Sequence, residues 1–75
     1  MILSPFERRF LETVAKRQLV TKNEMKELLK TDGSVLDTAA SSLISRKLVS
    51  AVNPVGSTCY AITQQGTRLL EQLSD

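Results

Sequence analysis

Apolar residues recur with helical spacing near the start of the chain. Phe6, Phe10 and Val14 follow one another at intervals of four, which places them on one face of a helix. Residues 4–7 read Ser-Pro-Phe-Glu, a capping-box spacing with proline at the first helical position. We therefore predict a helix from Pro5 to about residue 17.

Two further helices are predicted before the middle of the chain. Residues 18–20 are too few for a helix and are predicted to be extended. Residues 21–24 repeat the capping-box spacing and open a short second helix. Its apolar members are Met25, Leu28 and Leu29. Gly33 can supply the left-handed backbone of a turn, and Ser34 can cap a third helix over residues 35–46.

The third helix separates its apolar residues from its hydroxyl residues. At 100° per residue, one sector is apolar and is expected to face the core: Leu36, Ala39, Ala40, Leu43 and Ile44. The opposite sector is almost entirely hydroxyl-bearing: Thr38, Ser41, Ser42 and Ser45. We predict that this helix presents a hydroxyl-bearing face to solvent or to a partner.

The pattern becomes strand-like after the third helix. Residues 48–52 and 58–62 are rich in residues that favour strands, and the five residues between them include Pro54 and Gly56. Proline cannot donate to a sheet ladder, so Pro54 is predicted to lie in the loop of a β-hairpin. Thr63 then caps a fourth helix, whose apolar residues are Leu69, Leu70 and Leu73.

The order of elements predicts an α+β protein with a winged helix-turn-helix architecture. A three-helix core is followed by a two- to three-stranded β-hairpin wing and a C-terminal helix. The 75 residues form one predicted domain, 1–75. A chain of this length buries a thin core, and two strands are not stable alone. The wing and the last helix must therefore pack against the first three helices.

The composition limits the kinds of catalytic and metal site that the chain can form. Histidine is absent and Cys59 is the one cysteine, so the chain lacks both a zinc ligand set and a nucleophile–histidine pair. We predict no enzyme activity and no cofactor, and a buried structural role for Cys59. The start of the chain does not resemble a signal peptide, and no apolar run approaches the roughly 20 residues of a membrane span. A cytoplasmic protein without a membrane partner is expected.

The second half of the chain resembles winged-helix transcriptional regulators of the MarR and ArsR type. The resemblance rests on Leu-Ile-Ser-Arg-Lys-Leu-Val at residues 43–49 and on Tyr-Ala-Ile-Thr-Gln-Gln-Gly at residues 60–66. In those families a leucine late in the recognition helix leads through Gly-Leu-Val/Ile into the first wing strand. The second wing strand ends in Tyr-x-Leu-Thr-x-x-Gly, which opens the last helix. The resemblance implies a double-stranded DNA-binding regulator.

Two departures from that pattern bear on structure and function. The usual glycine before the first wing strand is Lys47 here. A non-glycine residue must accept a left-handed backbone at a cost of about 1 kcal/mol, or the chain must leave the helix by another route. The hydroxyl face also lacks arginine, asparagine and glutamine, the side chains that best discriminate bases. The hairpin loop carries no cation either.

The candidate DNA-binding residues lie on the second and third helices. Hydroxyls can bond phosphates or base edges with low discrimination, and cations can hold phosphates. The predicted set is Lys22, Lys26, Thr38, Ser41, Ser42, Ser45, Arg46 and Lys47. Each cation is also compatible with a solvated surface charge. Asp37 is interpreted as a residue that caps the third helix.

Two functions from different classes follow. The first is a small transcriptional regulator that binds double-stranded DNA as a dimer, with the third helix in the major groove. The second is a winged-helix module that contacts another protein through its hydroxyl face or through an apolar wing edge such as Val55. The net charge of +2 is compatible with both.

Overall fold

The helices and strands follow the predicted order. The structure is a computed structural model that describes residues 3–53 and 56–73. From the N-terminus, its elements are α1 (Pro5–Arg17), β1 (Leu19–Thr21), α2 (Lys22–Leu29), α3 (Gly33–Ser45), β2 (Val49–Val52), β3 (Cys59–Ile62) and α4 (Gln64–Leu73). The architecture is α+β, as predicted. None of the helices in these ranges is long and apolar enough to cross a membrane. Pro54 and Val55, predicted in the loop and at the wing edge, lie outside the described residues.

Side-chain caps begin the first two helices. The Ser4 amide donates to Glu7 Oε1 at 3.0 Å, and the Glu7 amide donates to Ser4 Oγ at 3.1 Å. Thr21 and Glu24 exchange the same pair of bonds at 3.0 and 3.1 Å. Both predicted capping boxes are confirmed.

The third helix begins earlier than predicted. The Val35 amide donates to Asp32 Oδ1 at 3.0 Å, so Asp32 is the cap and Gly33 is the first helical residue. The left-handed residue is Lys30, which ends α2 at φ 52°. The predicted Ser34 cap and Gly33 turn are wrong, because aspartate caps a helix as well as serine does and here precedes it.

The short strand β1 extends the hairpin into a sheet. Among the described residues the sheet has three strands in the order β1-β3-β2, and both pairings are antiparallel. Val20 of β1 and Ala51 of β2 both lie opposite Tyr60 of the central strand. The predicted extended link at residues 18–20 is therefore in part a strand, which adds pairing that a hairpin alone lacks.

One apolar cluster joins the helices to the sheet. Its buried members are Phe10, Leu11, Val14, Val20, Met25, Leu29, Leu36, Ala39, Ala40, Leu43, Leu48, Val49 and Tyr60. The rings of Phe10 and Tyr60 meet edge to face with centroids 5.2 Å apart, a favourable aromatic geometry that links α1 to β3. Cys59 is buried, as predicted. No described polar or charged side chain is buried.

Two apolar residues lie further out than their helical pattern predicts. Ile44, expected in the core, is 37% exposed, and Leu28 of α2 is 39% exposed. The buried arc of α3 is centred between Leu36 and Leu43, which leaves Ile44 beyond its margin. The predicted burial of Ile44 is therefore wrong.

The fourth helix is fastened to the turn between α3 and β2. Thr63 Oγ1 accepts from the Gly66 amide at 3.0 Å, which confirms Thr63 as the cap of α4. The same hydroxyl faces the carbonyl oxygens of Lys47 at 2.8 Å and Leu48 at 2.9 Å, to which it donates. A Cβ on Gly66 would lie inside van der Waals contact with the Leu48 carbonyl oxygen and 2.8 Å from Ile62 Cδ1. The spacing Thr-x-x-Gly is therefore a packing requirement at this junction.

Lys47 adopts the left-handed conformation that glycine usually supplies. Its φ is 62°, and its amide donates to the Ile44 carbonyl at 2.9 Å. Lys47 therefore accepts a left-handed backbone, the first of the two predicted alternatives, at a cost of about 1 kcal/mol. Leu48 then returns to the core, with its amide bonded to the Leu43 carbonyl at 3.0 Å.

The close approach at Gly66 predicts a large penalty for any side chain there. Gly66→Ala should lower the free energy of unfolding by about 3 kcal/mol, because the neighbour that must move is the Leu48 backbone. Urea denaturation followed by circular dichroism measures the change through the transition midpoint.

Gly33→Ala is the matched control. A Cβ at Gly33 would lie in ordinary contact, 3.7 Å from Lys22 Cε, within a helix. Because Gly33 is the first residue of α3 and a Cβ fits there, we expect this variant to change the free energy of unfolding by less than about 1 kcal/mol. Equal effects of the two substitutions would contradict the packing argument.

Candidate nucleic-acid interface

The second and third helices form a helix-turn-helix. A tight turn at residues 30–32 joins α2 to α3, and α3 leads through Lys47 into the β2–β3 hairpin. The buried residues of α3 are Leu36, Ala39, Ala40 and Leu43. They hold one side of the helix against the core and leave the opposite side outward.

The outward side of α3 carries hydroxyl groups. Thr38, Ser41 and Ser45 are exposed, as the helical pattern predicts. Ser34 is also exposed and lies in the same arc, because the Asp32 cap places it inside the helix. The sequence prediction missed Ser34 by assigning it to the cap. The Thr38 hydroxyl donates to the Ser34 carbonyl at 3.0 Å, within its own helix.

Ser42 and Arg46 lie at the margin of this face, toward the start of α1. Ser42 is half-buried and lines a groove with Ser4 and Glu7. Hydrogen bonds from the Ser4 amide and from the Ser42 hydroxyl hold the pKa of Glu7 below its usual value, and the charge of Arg46 lowers it further. Both candidate residues therefore already interact with a carboxylate of α1.

Lys22 forms an ion pair that spans the helix-turn-helix. Its Nζ atom lies 2.8 Å from Asp37 Oδ1, so α2 and α3 are joined by a charged hydrogen bond. This bond raises the pKa of Lys22 above its usual value. Burial, and then the charge of Asp37, raise the pKa of Tyr60, which places its hydroxyl near the pair. The interpretation of Asp37 as a cap is wrong, because Asp32 caps the helix.

Lys26 and Lys47 are the other two candidate cations. Both are exposed, and in the described ranges neither ammonium takes part in an ion pair. Lys26 lies on α2, and Lys47 follows the end of α3. Neither lysine therefore has a described carboxylate within ion-pair distance.

The described part of the wing is polar and uncharged. Asn53, Gly56 and Ser57 are exposed, and Thr58 is half-buried. The Lys22 amide donates to the Thr58 carbonyl at 2.9 Å, which ties the base of the wing to the start of α2. The wing can therefore offer hydroxyl and amide groups but no cation from these residues.

Comparison with solved structures identifies the fold. The crystal structure of a cysteine-to-serine mutant of MarR from E. coli matches with a TM-score of 0.87 at 19% sequence identity. The match covers 93% of this chain and 54% of the MarR chain. The chain has the MarR-like winged-helix fold. It spans about half the length of that protein. No protein-family model matches the chain, and no curated protein matches it in sequence.

The MarR-like fold confirms the architecture expected from residues 43–49 and 60–66. In that fold α2 and α3 are the helix-turn-helix and β2–β3 is the wing. The motif at residues 60–66 contains Tyr60 of the central strand, the helix cap Thr63 and the packing residue Gly66. It forms the junction with α4. The TM-score establishes the fold, and at 19% identity the contacts of the outward face are left to be proposed.

The lowered pKa of Glu7 predicts a pH-dependent contribution to stability. Because the native pKa is below the value of 4.5 for a free side chain, the ionised carboxylate stabilises the native state above that value. This stabilisation is lost as the pH falls through the native pKa. Glu7→Gln should therefore lose less stability than the wild type on acidification from about pH 6 to about pH 3.

Urea denaturation at the two pH values measures the difference. Glutamine retains the capping-box geometry, so the helix start is preserved. Glu27→Gln, on the exposed side of α2, is the control for removal of a carboxylate. An identical pH dependence in wild type and Glu7→Gln would contradict the assigned interactions of Glu7 with Ser4, Ser42 and Arg46.

Proposed function

We propose that this chain is a small transcriptional regulator that binds double-stranded DNA as a dimer, with α3 in the major groove. One observation carries the proposal: the second helix of a helix-turn-helix exposes a row of hydroxyls with no bulky side chain among Thr38, Ser41 and Ser45. Small side chains allow close approach of a helix to the groove floor. The MarR-like fold and the family resemblance support this proposal.

The proposed face discriminates weakly between base sequences. Hydroxyls bond phosphates and either kind of base edge, and the face offers no bidentate donor for guanine or adenine. Ser41, near the middle of α3, is the candidate for what base preference there is. Most of the affinity is then electrostatic and comes from phosphate contacts.

The four candidate cations form two pairs that differ in how freely they can bind a phosphate. Lys26 and Lys47 can contact phosphates directly. Lys22 and Arg46 already interact with Asp37 and Glu7, and a phosphate must compete with those carboxylates. A module with about two to four phosphate contacts binds weakly at physiological salt. A dimer doubles the number of contacts, which is why the proposal includes one.

The second candidate function is a protein-interaction module. The specific observation in its favour is the compensation of Lys22 and Arg46 by carboxylates, which leaves Lys26 and Lys47 as the available cations of the candidate set. A hydroxyl-rich helix with little available positive charge can pack against another protein as well as against DNA. The response of binding to salt distinguishes the two functions.

The DNA-binding proposal predicts a defined salt response. Fluorescence anisotropy with a labelled duplex should show log-linear weakening as salt rises, with a slope near −0.9 for each phosphate contacted. Lys26→Ala combined with Lys47→Ala should reduce the magnitude of that slope by about 1.8 for each bound protomer, or about 3.6 for the proposed dimer, since each protomer loses two phosphate contacts. The loss of affinity should be similar for all duplex sequences.

Arg9→Ala combined with Lys16→Ala is the matched control. It removes the same charge from α1, away from the hydroxyl face, and should leave the slope unchanged. No duplex binding at about 50 mM salt would favour the protein-interaction module. Equal loss of slope in the two double variants would show that the proposed docking surface is wrong.

Disruption of the ion pair between Lys22 and Asp37 is predicted to strengthen duplex binding rather than weaken it. Asp37→Asn should tighten duplex binding by about tenfold at low salt, because it removes a repulsive charge and releases Lys22 to a phosphate. The salt slope should steepen by about 0.9 for each bound protomer, or about 1.8 for the proposed dimer. Exposed ion pairs contribute little to stability, so the fold should persist, and circular dichroism checks this.

Glu71→Gln on α4 controls for the change in net charge. It removes one negative charge from an exposed position outside the helix-turn-helix. Its effect on duplex affinity should be small. Unchanged or weaker binding by Asp37→Asn would exclude Lys22 as a phosphate contact.

A further inference from the structure

A groove with a volume of about 550 Å³ lies between α1, the start of β1 and the end of α2. It shares no lining residue with the hydroxyl face of α3. Its apolar lining consists of Leu19, Leu28 and Leu29. Its charged lining consists of Arg9, Lys16 and Arg17.

Leucine side chains are exposed within this groove. Leu19 is 56% exposed and Leu28 is 39% exposed, whereas Leu29 beneath them is 7% exposed and belongs to the core. The two exposed leucines and the buried third line one groove, where they form an apolar patch within a lining that is otherwise polar or charged. Such surfaces, when rimmed by polar groups, are typical of interaction sites.

The rim of the groove is positively charged. Arg9 and Lys16 are exposed, and within the described ranges no ion pair involves either side chain. The charge of Arg17 is partly compensated: the pKa of Glu24 is lowered mainly by the Thr21 amide and to a smaller extent by Arg17. Arg9 and Lys16 therefore carry the uncompensated charge of the rim.

Arg8, the residue before Arg9, does not border the groove. Arg8 lies on another side of the helix, and its Nε atom bonds Glu12 Oε2 at 3.2 Å. The cations of α1 thus divide into one that is paired with a carboxylate on its own helix and a group that borders exposed leucines. A solubilising role accounts for Arg8 but does not account for cations placed around an apolar floor.

We propose that this groove docks an acidic amphipathic helical segment of a partner protein. Arg9 and Lys16 are seven residues apart, which is about 10 Å along a helix axis. Carboxylates two turns apart on a docked helix match that separation. Apolar residues between those carboxylates would cover Leu19 and Leu28, as in other helix-in-groove complexes.

The experiment uses the whole chain and a synthetic probe. The probe is a fluorescein-labelled peptide of about 16 residues with leucines on one helical face and glutamates two turns apart on its edges. A control peptide has lysine in place of every glutamate. Fluorescence anisotropy should show saturable binding of the acidic peptide below about 1 mM, with the lysine peptide at least tenfold weaker.

Substitutions on the rim and on the floor test the location. Arg9→Glu combined with Lys16→Glu should weaken the acidic peptide by about tenfold, because two attractive contacts become repulsive. Leu28→Gln should weaken it several-fold through loss of apolar contact. Arg68→Glu on α4 is the charge control and should leave binding unchanged. All these side chains are exposed, and circular dichroism verifies that each variant is folded.

Several outcomes would overturn the proposal. Absence of saturable binding at about 1 mM peptide would do so, as would equal affinity for the acidic and lysine peptides. Intact peptide binding after charge reversal at Arg9 and Lys16 would also overturn the proposal. If that reversal instead abolished binding to a DNA duplex or to phosphatidylglycerol vesicles, the groove would serve a different polyanion.

Discussion

The fold depends on the contact between the Leu48 backbone and the start of α4. The Leu48 carbonyl accepts from the Thr63 amide at 3.3 Å and from the Thr63 hydroxyl at 2.9 Å, and Gly66 packs directly against it. The same residue lies between the end of α3 and the start of β2 and contributes a buried side chain to the core. Because helix, sheet and last helix meet at one peptide group, the orientation of α3 relative to the wing is set there.

Much of this fold could be predicted from the sequence, because its signals are local. Capping boxes and an interval of four between apolar residues each act over a few residues and need no knowledge of distant contacts. The errors arose where two local signals competed or where the outcome depended on packing. Asp32 and Ser34 are both good caps, and the pattern alone did not choose between them. Ile44 fits an apolar arc whose edge only the neighbouring elements define.

The hydroxyl face was predictable, but its electrostatic state was not. Helical periodicity places Thr38, Ser41 and Ser45 on one side, and the structure confirms that placement. The partners of the cations come from elsewhere in the sequence: Asp37 reaches across to Lys22, and Glu7 of α1 lies near Arg46. Such pairs depend on how helices cross. Their effect is a candidate interface with less available charge than a count of lysines and arginines suggests.

The bond from the Thr38 hydroxyl to the Ser34 carbonyl has a consequence for recognition. While its proton is held by its own helix, Thr38 can only accept a hydrogen bond. In a major groove it would therefore tolerate the exocyclic amine of adenine or cytosine and oppose guanine O6 or thymine O4. Against a protein it would select an amide or ammonium over a carbonyl. A single intrahelical bond thus makes one position of the hydroxyl face an acceptor only, a weak preference in keeping with the low discrimination of hydroxyl groups.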